Sequence, residues 1–341
     1  MKIMFALHSP LTVKSLTLGN RLLFPPMGTE TADGDGRVTD RLLGFYRSLS
    51  SAGHLSLVIV EHSFVSGQGK ASRHQLSAAD DSTLDGLREI ARIAHVGGAK
   101  AVLQLNHAGA ATSRAVTGRE TVSASALSLG NGNEPSRPLT KAEIGGIVSD
   151  FARAAERARR AGFDGVEIHS AHGYLLNQFY SPVLNRRTDG YGGGVSGRIR
   201  IHLEIIEAIR AKVGSGYPLF LRLGACDYTP GGTTLQDSIL AARELERAGL
   251  DVLDVSGGLY GFRVPGREHS EGYFADITQA LKRHISIPVV LTGGIRRLET
   301  AEDFLRDGVA DLIGIGRPIY RNPSWLKAEM ERFCRATGNN D

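Results

Sequence analysis

The chain has 341 residues, 41% of them hydrophobic, so it can bury a full core as one large α/β barrel or as two ordinary domains. Lys and Arg number 40 against 36 Asp and Glu, and this balance is spread along the chain without a basic block, which argues against a nucleic-acid partner. Cys226 and Cys334 lack C-x-x-C spacing, which argues against a disulfide framework, a zinc ribbon or a protein-ligated iron–sulfur cluster.

The N-terminal apolar run covers residues 3–7 and is followed at once by a polar turn with a proline. It is too short for the core of a signal peptide or for a membrane span. Together with the cysteine pattern, which fits a reducing compartment, this run predicts a cytoplasmic protein without a membrane partner.

Eight short apolar runs follow one another along the chain, and amphipathic helical stretches separate them. The runs cover residues 22–24, 57–60, 101–105, 166–169, 219–223, 252–255, 289–292 and 311–315. Thr140 and Glu143 have capping-box spacing, which predicts the start of one of these helices. Eight alternating units in a chain of this length favour a single (β/α)8 TIM barrel over residues 1–341, with a doubly wound open sheet as the alternative.

Polar residues at the carboxyl ends of different strands favour the barrel, because a barrel collects its active site on that face. They are Glu61, Gln104, His169, Arg222, Ser256 and Gly293. Two polar extensions, 113–137 and 178–197, follow the third and fourth strands. We expect these long βα loops to cap the C-terminal face, the first of them over the pocket mouth.

Glycines follow the seventh and eighth strands, where barrels commonly bind phosphate with backbone amides and a helix N-terminus. They are Gly293, Gly294 and Gly316, and the guanidinium group of Arg317 adds a positive charge next to them. The alternative is that these glycines only permit tight turns. A formal G-x-G-x-x-G at 192–197 follows a polar loop rather than a strand, so we interpret it as a chance match and expect no Rossmann domain.

His169 ends the fourth strand, and His172 and Tyr174 follow it. A metal pair is the weaker interpretation, since no further ligands stand at matching spacing. Two neutral imidazoles can instead donate hydrogen bonds to one carbonyl oxygen, and a phenol can donate a proton. The alternative for either histidine alone is a satisfied polar core residue.

Arg222 and Gln104 each end an apolar strand. The Arg222 guanidinium would point into the barrel mouth and need an anionic partner, either a ligand or Asp227. The Gln104 amide can both donate and accept, as the edge of a heterocyclic ring requires.

Several segments, taken in order, resemble the old yellow enzyme family of FMN-dependent NAD(P)H:flavin oxidoreductases, from about Leu11 to Trp325. They are NRLLFPPM at 20–27, QLNHAG at 104–109, EIHSAHGYLLNQF at 167–179 with the NRRTD and YGG that follow, and GRP at 316–318. The chain resembles the members that consist of the barrel alone.

The resemblance implies FMN across the barrel mouth, reduced by NADH or NADPH, and then an activated alkene such as an enone in the same site. The ring edge would lie on Gln104 and the backbone of Pro26, Met27 and Gly28, and Arg222 would face its N1/O2 edge. The phosphate would lie on Gly293, Gly294, Gly316 and Arg317. His169 and His172 would bind the substrate carbonyl, and Tyr174 would donate the proton.

Three positions depart from the family pattern. Gly28 stands where many relatives have Cys or Thr beside the flavin, Ala110 replaces a common arginine, and Glu30 takes a pocket-entry position at which we expect it to contact substrate. The competing hypotheses are a flavin-free barrel lyase or isomerase acting on a phosphorylated substrate, and a barrel that binds a ligand without turnover. The former would need a Schiff-base lysine or a metal, and no lysine stands at a strand end. A homo-oligomer is possible.

Overall fold

Eight parallel strands form a closed barrel in the computed structural model, which describes residues 5–51, 53–128 and 135–337. The strands are β1 (Leu22–Phe24), β2 (Leu57–Phe64), β3 (Lys100–Asn106), β4 (Gly165–Ser170), β5 (Leu219–Gly224), β6 (Val252–Ser256), β7 (Val289–Thr292) and β8 (Leu312–Gly314). Each predicted run forms a strand. Ile313 of β8 pairs with Leu22 of β1, which closes the ring and rules out the open sheet.

Helices cover the outside of the barrel, as expected for β/α units. The longer ones are α1 (Asp40–Ser51), α2 (Leu84–Val96), α3 (Lys141–Arg160), α4 (Arg200–Val213), α5 (Leu235–Arg247), α6 (Ala275–Lys282), α7 (Leu298–Arg306) and α8 (Trp325–Thr337). The predicted capping box is present: Thr140 Oγ1 accepts from the Glu143 amide at 3.3 Å, and the Glu143 carboxylate accepts from the Thr140 amide at 2.8 Å. No helix within the described ranges is long and apolar enough to cross a membrane.

An N-terminal hairpin closes the bottom of the barrel. Its antiparallel strands, Leu11–Val13 and Leu16–Leu18, pack with the inward-facing side chains near the starts of the barrel strands. Those inward-facing residues include Leu23, Leu57, Val102, Phe220, Val252 and Leu312. Because this end is filled by apolar side chains, a ligand can enter only from the opposite, C-terminal face.

Long βα connections extend from the C-terminal face, as predicted. The connection after β3 holds the short helix Arg114–Thr117 and the strand pair Val122–Ser123 and Arg137–Pro138, with residues 129–134 outside the described part. The connection after β4 holds the helices Leu175–Tyr180 and Val195–Arg198. Within it, a Cβ on Gly192 would lie 2.0 Å from the Arg187 carbonyl oxygen, so this glycine serves the turn. Short 3-10 turns cover Ala6–His8, Gly67–Gly69, Asp81–Thr83 and Gly109–Ala111.

Candidate active site

A cavity of about 1020 Å³ opens at the carboxyl ends of the barrel strands. It is large enough for a cofactor together with a substrate. Its lining brings together most of the predicted site residues: Pro26, Met27, Gly28, Gln104, His169, His172, Tyr174, Arg222, Gly293, Gly294, Gly316 and Arg317. The predicted substrate contact Glu30 is not among the lining residues.

Three rings form one cluster on a wall of the cavity. The His169 and His172 ring centroids are 4.9 Å apart, and that of Tyr174 lies 5.2 Å from that of His169. The Tyr174 phenol oxygen makes no hydrogen bond to any described residue, and His169 Nδ1 is buried without a partner. The Tyr174 oxygen and the other ring nitrogen of His169, Nε2, which also has no hydrogen-bond partner among the described residues, are therefore left for a ligand.

His172 is held in a strained position. Its φ of 62° is left-handed, a conformation that a non-glycine residue rarely adopts. Its amide donates to the Gly257 carbonyl, and its Nε2 lies 2.7 Å from Ser256 Oγ, so both the backbone and the ring are fixed by the end of β6. Since Nε2 is used in this way, Nδ1 is the nitrogen left for a ligand.

Both histidines are neutral at physiological pH. Burial lowers the pKa of His169 and of His172 well below the usual value, and the Arg222 charge lowers both further. Burial also raises the pKa of the Tyr174 phenol, with a smaller contribution from the Glu30 carboxylate. The cluster therefore offers neutral N–H donors and a protonated phenol, the groups needed to stabilise developing negative charge on a carbonyl oxygen and to supply a proton.

Below this cluster, polar side chains of four neighbouring strands pair across the barrel interior. Gln104 and Glu167 are register partners of β3 and β4, and Gln104 Nε2 donates to Glu167 Oε1 at 2.8 Å. Arg222 and Asp254 are register partners of β5 and β6, with Nε and Oδ2 3.3 Å apart. Because Gln104 Nε2 donates to Glu167, the side-chain carbonyl oxygen of Gln104 is left to accept a hydrogen bond from an N–H group on the edge of a bound ring.

Arg222 does not use the partner that the sequence suggested. The Asp227 carboxylate accepts from Ser181 Oγ at 2.6 Å and from the Thr233 amide at 2.8 Å instead. It lies beyond the end of β5, whereas Asp254 lies beside Arg222 in the sheet. Burial raises the pKa of Asp254 to about 6 and that of Glu167 well above its usual value, and the Arg222 charge lowers both.

The glycines after β7 and β8 are required where they stand. A Cβ on Gly294, at φ 72°, would lie 2.3 Å from the Ser270 carbonyl oxygen, and one on Gly316 would lie 2.8 Å from Met27 Sδ. Arg317 opens the short helix Arg317–Arg321 and makes no ion pair with any carboxylate in the described part of the chain. A half-buried cation without a partner, beside the glycine backbone after β7 and β8, suits an anionic group such as a phosphate.

Next to the ring cluster, the cavity is lined by a further histidine that the sequence did not predict. His62 lies in β2, and its ring centroid is 5.6 Å from that of Tyr174 and 6.3 Å from that of His169. Burial lowers the pKa of His62 to about 4, so this ring is neutral as well. The sequence feature that could have predicted His62 is its neighbour Glu61, a polar residue at the end of an apolar run.

The cavity mouth is built by other segments than predicted. The connection after β6 supplies Phe262, Arg263, Glu268 and His269, and the segment after β8 supplies Tyr320, Arg321, Asn322 and Trp325. The described parts of 113–137 do not line the cavity, so the expected cover by this loop was wrong for them. Glu30 lies outside the lining, where its carboxylate accepts from Ser72 Oγ at 2.6 Å. No group of three or more possible metal ligands is found among the described residues.

Comparison with known proteins identifies the family of this chain. A model of the NADH:flavin oxidoreductase / NADH oxidase family matches residues 6–332. This chain belongs to that family. It is therefore an NAD(P)H-dependent flavin oxidoreductase of the old yellow enzyme type, with FMN as the cofactor of the family.

Related proteins differ in how much of their length this chain spans. It is 38% identical over 329 residues to an NADPH dehydrogenase of Geobacillus sp. (strain WCH70), covering 96% of this chain and 94% of that one. It is 39% identical over 324 residues to an NADH oxidase of Thermoanaerobacter brockii, covering 94% of this chain and only 50% of that one. The chain thus spans about half the length of some relatives and nearly all of others.

Solved structures agree with the assignment. Morphinone reductase in complex with tetrahydroNAD has a TM-score of 0.82 and 28% identity, covering 98% of this chain and 92% of that one. The old yellow enzyme homologue of Zymomonas mobilis has a TM-score of 0.81 and 27% identity, covering 96% and 93%. A 2-naphthoyl-CoA reductase complex has a TM-score of 0.90 and 25% identity, covering 96% of this chain and 52% of that one.

Proposed function

We propose that this enzyme reduces the activated C=C bond of α,β-unsaturated carbonyl compounds, and that residues 1–341 act as a single FMN-binding barrel. The observation that carries the proposal is the cluster of His169, His172 and Tyr174 on a wall of the cavity. Neutral N–H donors and a protonated phenol in one cavity suit a substrate that gains negative charge on oxygen and a proton on carbon.

The residues in the cavity fit FMN. The Gln104 carbonyl oxygen is free for a ring N–H, and the half-buried, unpaired Arg317 lies beside the glycine backbone after β7 and β8. Gly293, Gly294 and Gly316 leave a cradle in which side chains would clash. Arg222 would supply positive charge to the N1/O2 edge. When bound, FMN supplies to the substrate a hydride that comes originally from NADH or NADPH.

The chain's own residues then act on the substrate. His169 and His172 donate hydrogen bonds to the carbonyl oxygen, which polarises the alkene and excludes isolated alkenes as substrates. Tyr174 holds its proton because burial raises its pKa, and it delivers that proton to the α-carbon. The open mouth lets the nicotinamide and the alkene use one site in turn.

The test starts with the visible spectrum of the purified protein and of its acid supernatant, followed by NADH or NADPH oxidation with a cyclic enone. We expect released FMN and enone-dependent turnover. An FMN-bound protein that oxidises NAD(P)H but reduces no enone would contradict the substrate class. A colourless protein that takes up no added FMN would instead favour a flavin-free barrel lyase or isomerase acting on a phosphorylated substrate.

A further inference from the structure

His62 presents one ring nitrogen to the cavity and has the other anchored. Its Nδ1 lies 2.6 Å from Gln75 Nε2, and its side chain is one of those that line the cavity. Its Nε2 has no hydrogen-bond partner in the described part of the chain. The ring is therefore held from behind and offers Nε2 to a ligand.

The Gln75 amide determines which nitrogen of His62 carries the proton. Gln75 Oε1 accepts from the Ala71 amide at 2.6 Å, and Gln75 Nε2 donates to the His62 carbonyl oxygen at 3.1 Å. An amide N–H only donates and a carbonyl oxygen only accepts, so these two contacts determine the orientation of the Gln75 side chain. Its Nε2 must then also donate to His62 Nδ1. In the neutral ring, the proton is consequently on Nε2.

Gly28 leaves room for this N–H group. A Cβ at position 28 would lie 3.2 Å from His62 Nε2, a tight contact, and apart from the adjacent residues of the chain only the His62 ring comes within 4 Å of it among the described residues. The Nε2–H therefore lies beside the backbone of Gly28, on the same wall as Met27 and Tyr174. The space that a side chain at position 28 would enter is flanked by an imidazole from β2.

We propose that His62, through its Nε2–H, donates a hydrogen bond to the edge of the FMN ring that lies against Gly28, and that Gln75 is the positioning residue that keeps this tautomer. The proposal rests on the proposed function and on the contact between the ring edge and the Gly28 backbone that the family resemblance implies. A donor at the ring edge favours the reduced, more electron-rich flavin over the oxidised one. His62 would thus tune the reduction potential and does not transfer the proton.

The test compares holoenzymes carrying His62→Phe and His62→Gln by potentiometric titration of the bound FMN. Loss of one neutral hydrogen bond should weaken the preference for reduced FMN by about tenfold, or about 30 mV for a two-electron couple. His62→Gln retains an N–H donor and should restore part of the shift. His95→Gln, on the exposed surface of α2, is the matched control and should leave the potential unchanged.

Gln75→Glu tests the tautomer with the imidazole still in place. A carboxylate only accepts, so it draws the proton to Nδ1 and raises the pKa of His62, which makes donation from Nε2 depend on pH. We expect a break in the potential between about pH 6 and pH 8 that the unaltered protein lacks, because its His62 has a pKa of about 4.

Three outcomes separate the hypotheses. An unchanged potential in His62→Phe, or no added pH dependence in Gln75→Glu if the first variant does not fold, would overturn the assignment to the flavin. A weaker affinity for a phenol with an unchanged potential would overturn it too and assign the donor to the substrate. Failure of the unaltered protein to bind FMN would contradict the proposed function itself.

Discussion

The phenol ring of Tyr174 lies edge-on to the imidazole of His169, with ring centroids 5.2 Å apart and planes at 71°. The phenol thus stands beside a proposed carbonyl site rather than in it. Tyr174→Phe should slow oxidation of the reduced enzyme by an enone about 100-fold, the lower range for loss of a general acid. Reduction by NAD(P)H should change little, because the phenol has no role in that half-reaction. Stopped-flow measurement of the two half-reactions checks this, and equal losses in both would contradict the role.

His172→Ala should weaken the binding of a phenol, which mimics a carbonyl oxygen with negative charge. A hydrogen bond to a charged group contributes about 1.5–3 kcal/mol, so the dissociation constant should rise about 10-fold or more. Titration of the holoenzyme with the phenol, followed by the charge-transfer absorbance between the phenol and the bound FMN, measures this dissociation constant. Ser256→Ala keeps the imidazole and removes only the 2.7 Å contact at Nε2, so we expect a smaller loss. Unchanged affinity in His172→Ala would contradict the assignment.

Arg317→Ala should reduce FMN retention. The residue is an unpaired, half-buried cation in the described structure, and charge-assisted contacts to a phosphate are among the stronger hydrogen bonds. We expect the dissociation constant of FMN to rise about 10-fold or more, measured by fluorescence after ultrafiltration. Arg247→Ala on α5 removes a cation with an exposed side chain and should retain FMN fully. Full retention in Arg317→Ala would place the phosphate elsewhere.

Glu61 should make the folded protein less stable as the pH rises. Burial raises the pKa of its carboxyl to about 7, although Thr29 donates hydrogen bonds to it through both its amide and its hydroxyl. Since this pKa lies above the unfolded value, the folded state binds more protons. The free energy of unfolding should therefore fall between about pH 4.5 and pH 7, by at most about 3 kcal/mol.

Urea titrations of Glu61→Gln at several pH values in this window check that contribution. Glutamine resembles the protonated carboxyl in shape, so the variant should lose this part of the pH dependence. Glu143→Gln is the control, because Arg137 lowers the pKa of Glu143 to about 2 and its contribution lies at lower pH. The same slope in Glu61→Gln and in the unaltered protein would contradict the prediction.

Most of the architecture and much of the candidate site could be predicted from the chain alone. The eight strands are short apolar runs buried on both faces, a pattern that depends on local residues only. His169 lies near the end of β4, and His172 and Tyr174 follow within a few residues, so their closeness is local too. The glycines after β7 and β8 could be placed together because neighbouring parallel strands end at the same face.

Side chains from distant segments meet in ways that only the tertiary structure decided. Register between β5 and β6 sets Asp254 beside Arg222, whereas Asp227, closer in the chain, lies past the strand end. Packing of β2 against the segment after β1 brings His62 to Gly28, and the connection after β6 rather than 113–137 lines the mouth. Sequence patterns determine which face of a strand is buried, but strand order, register and loop paths determine which side chains pair.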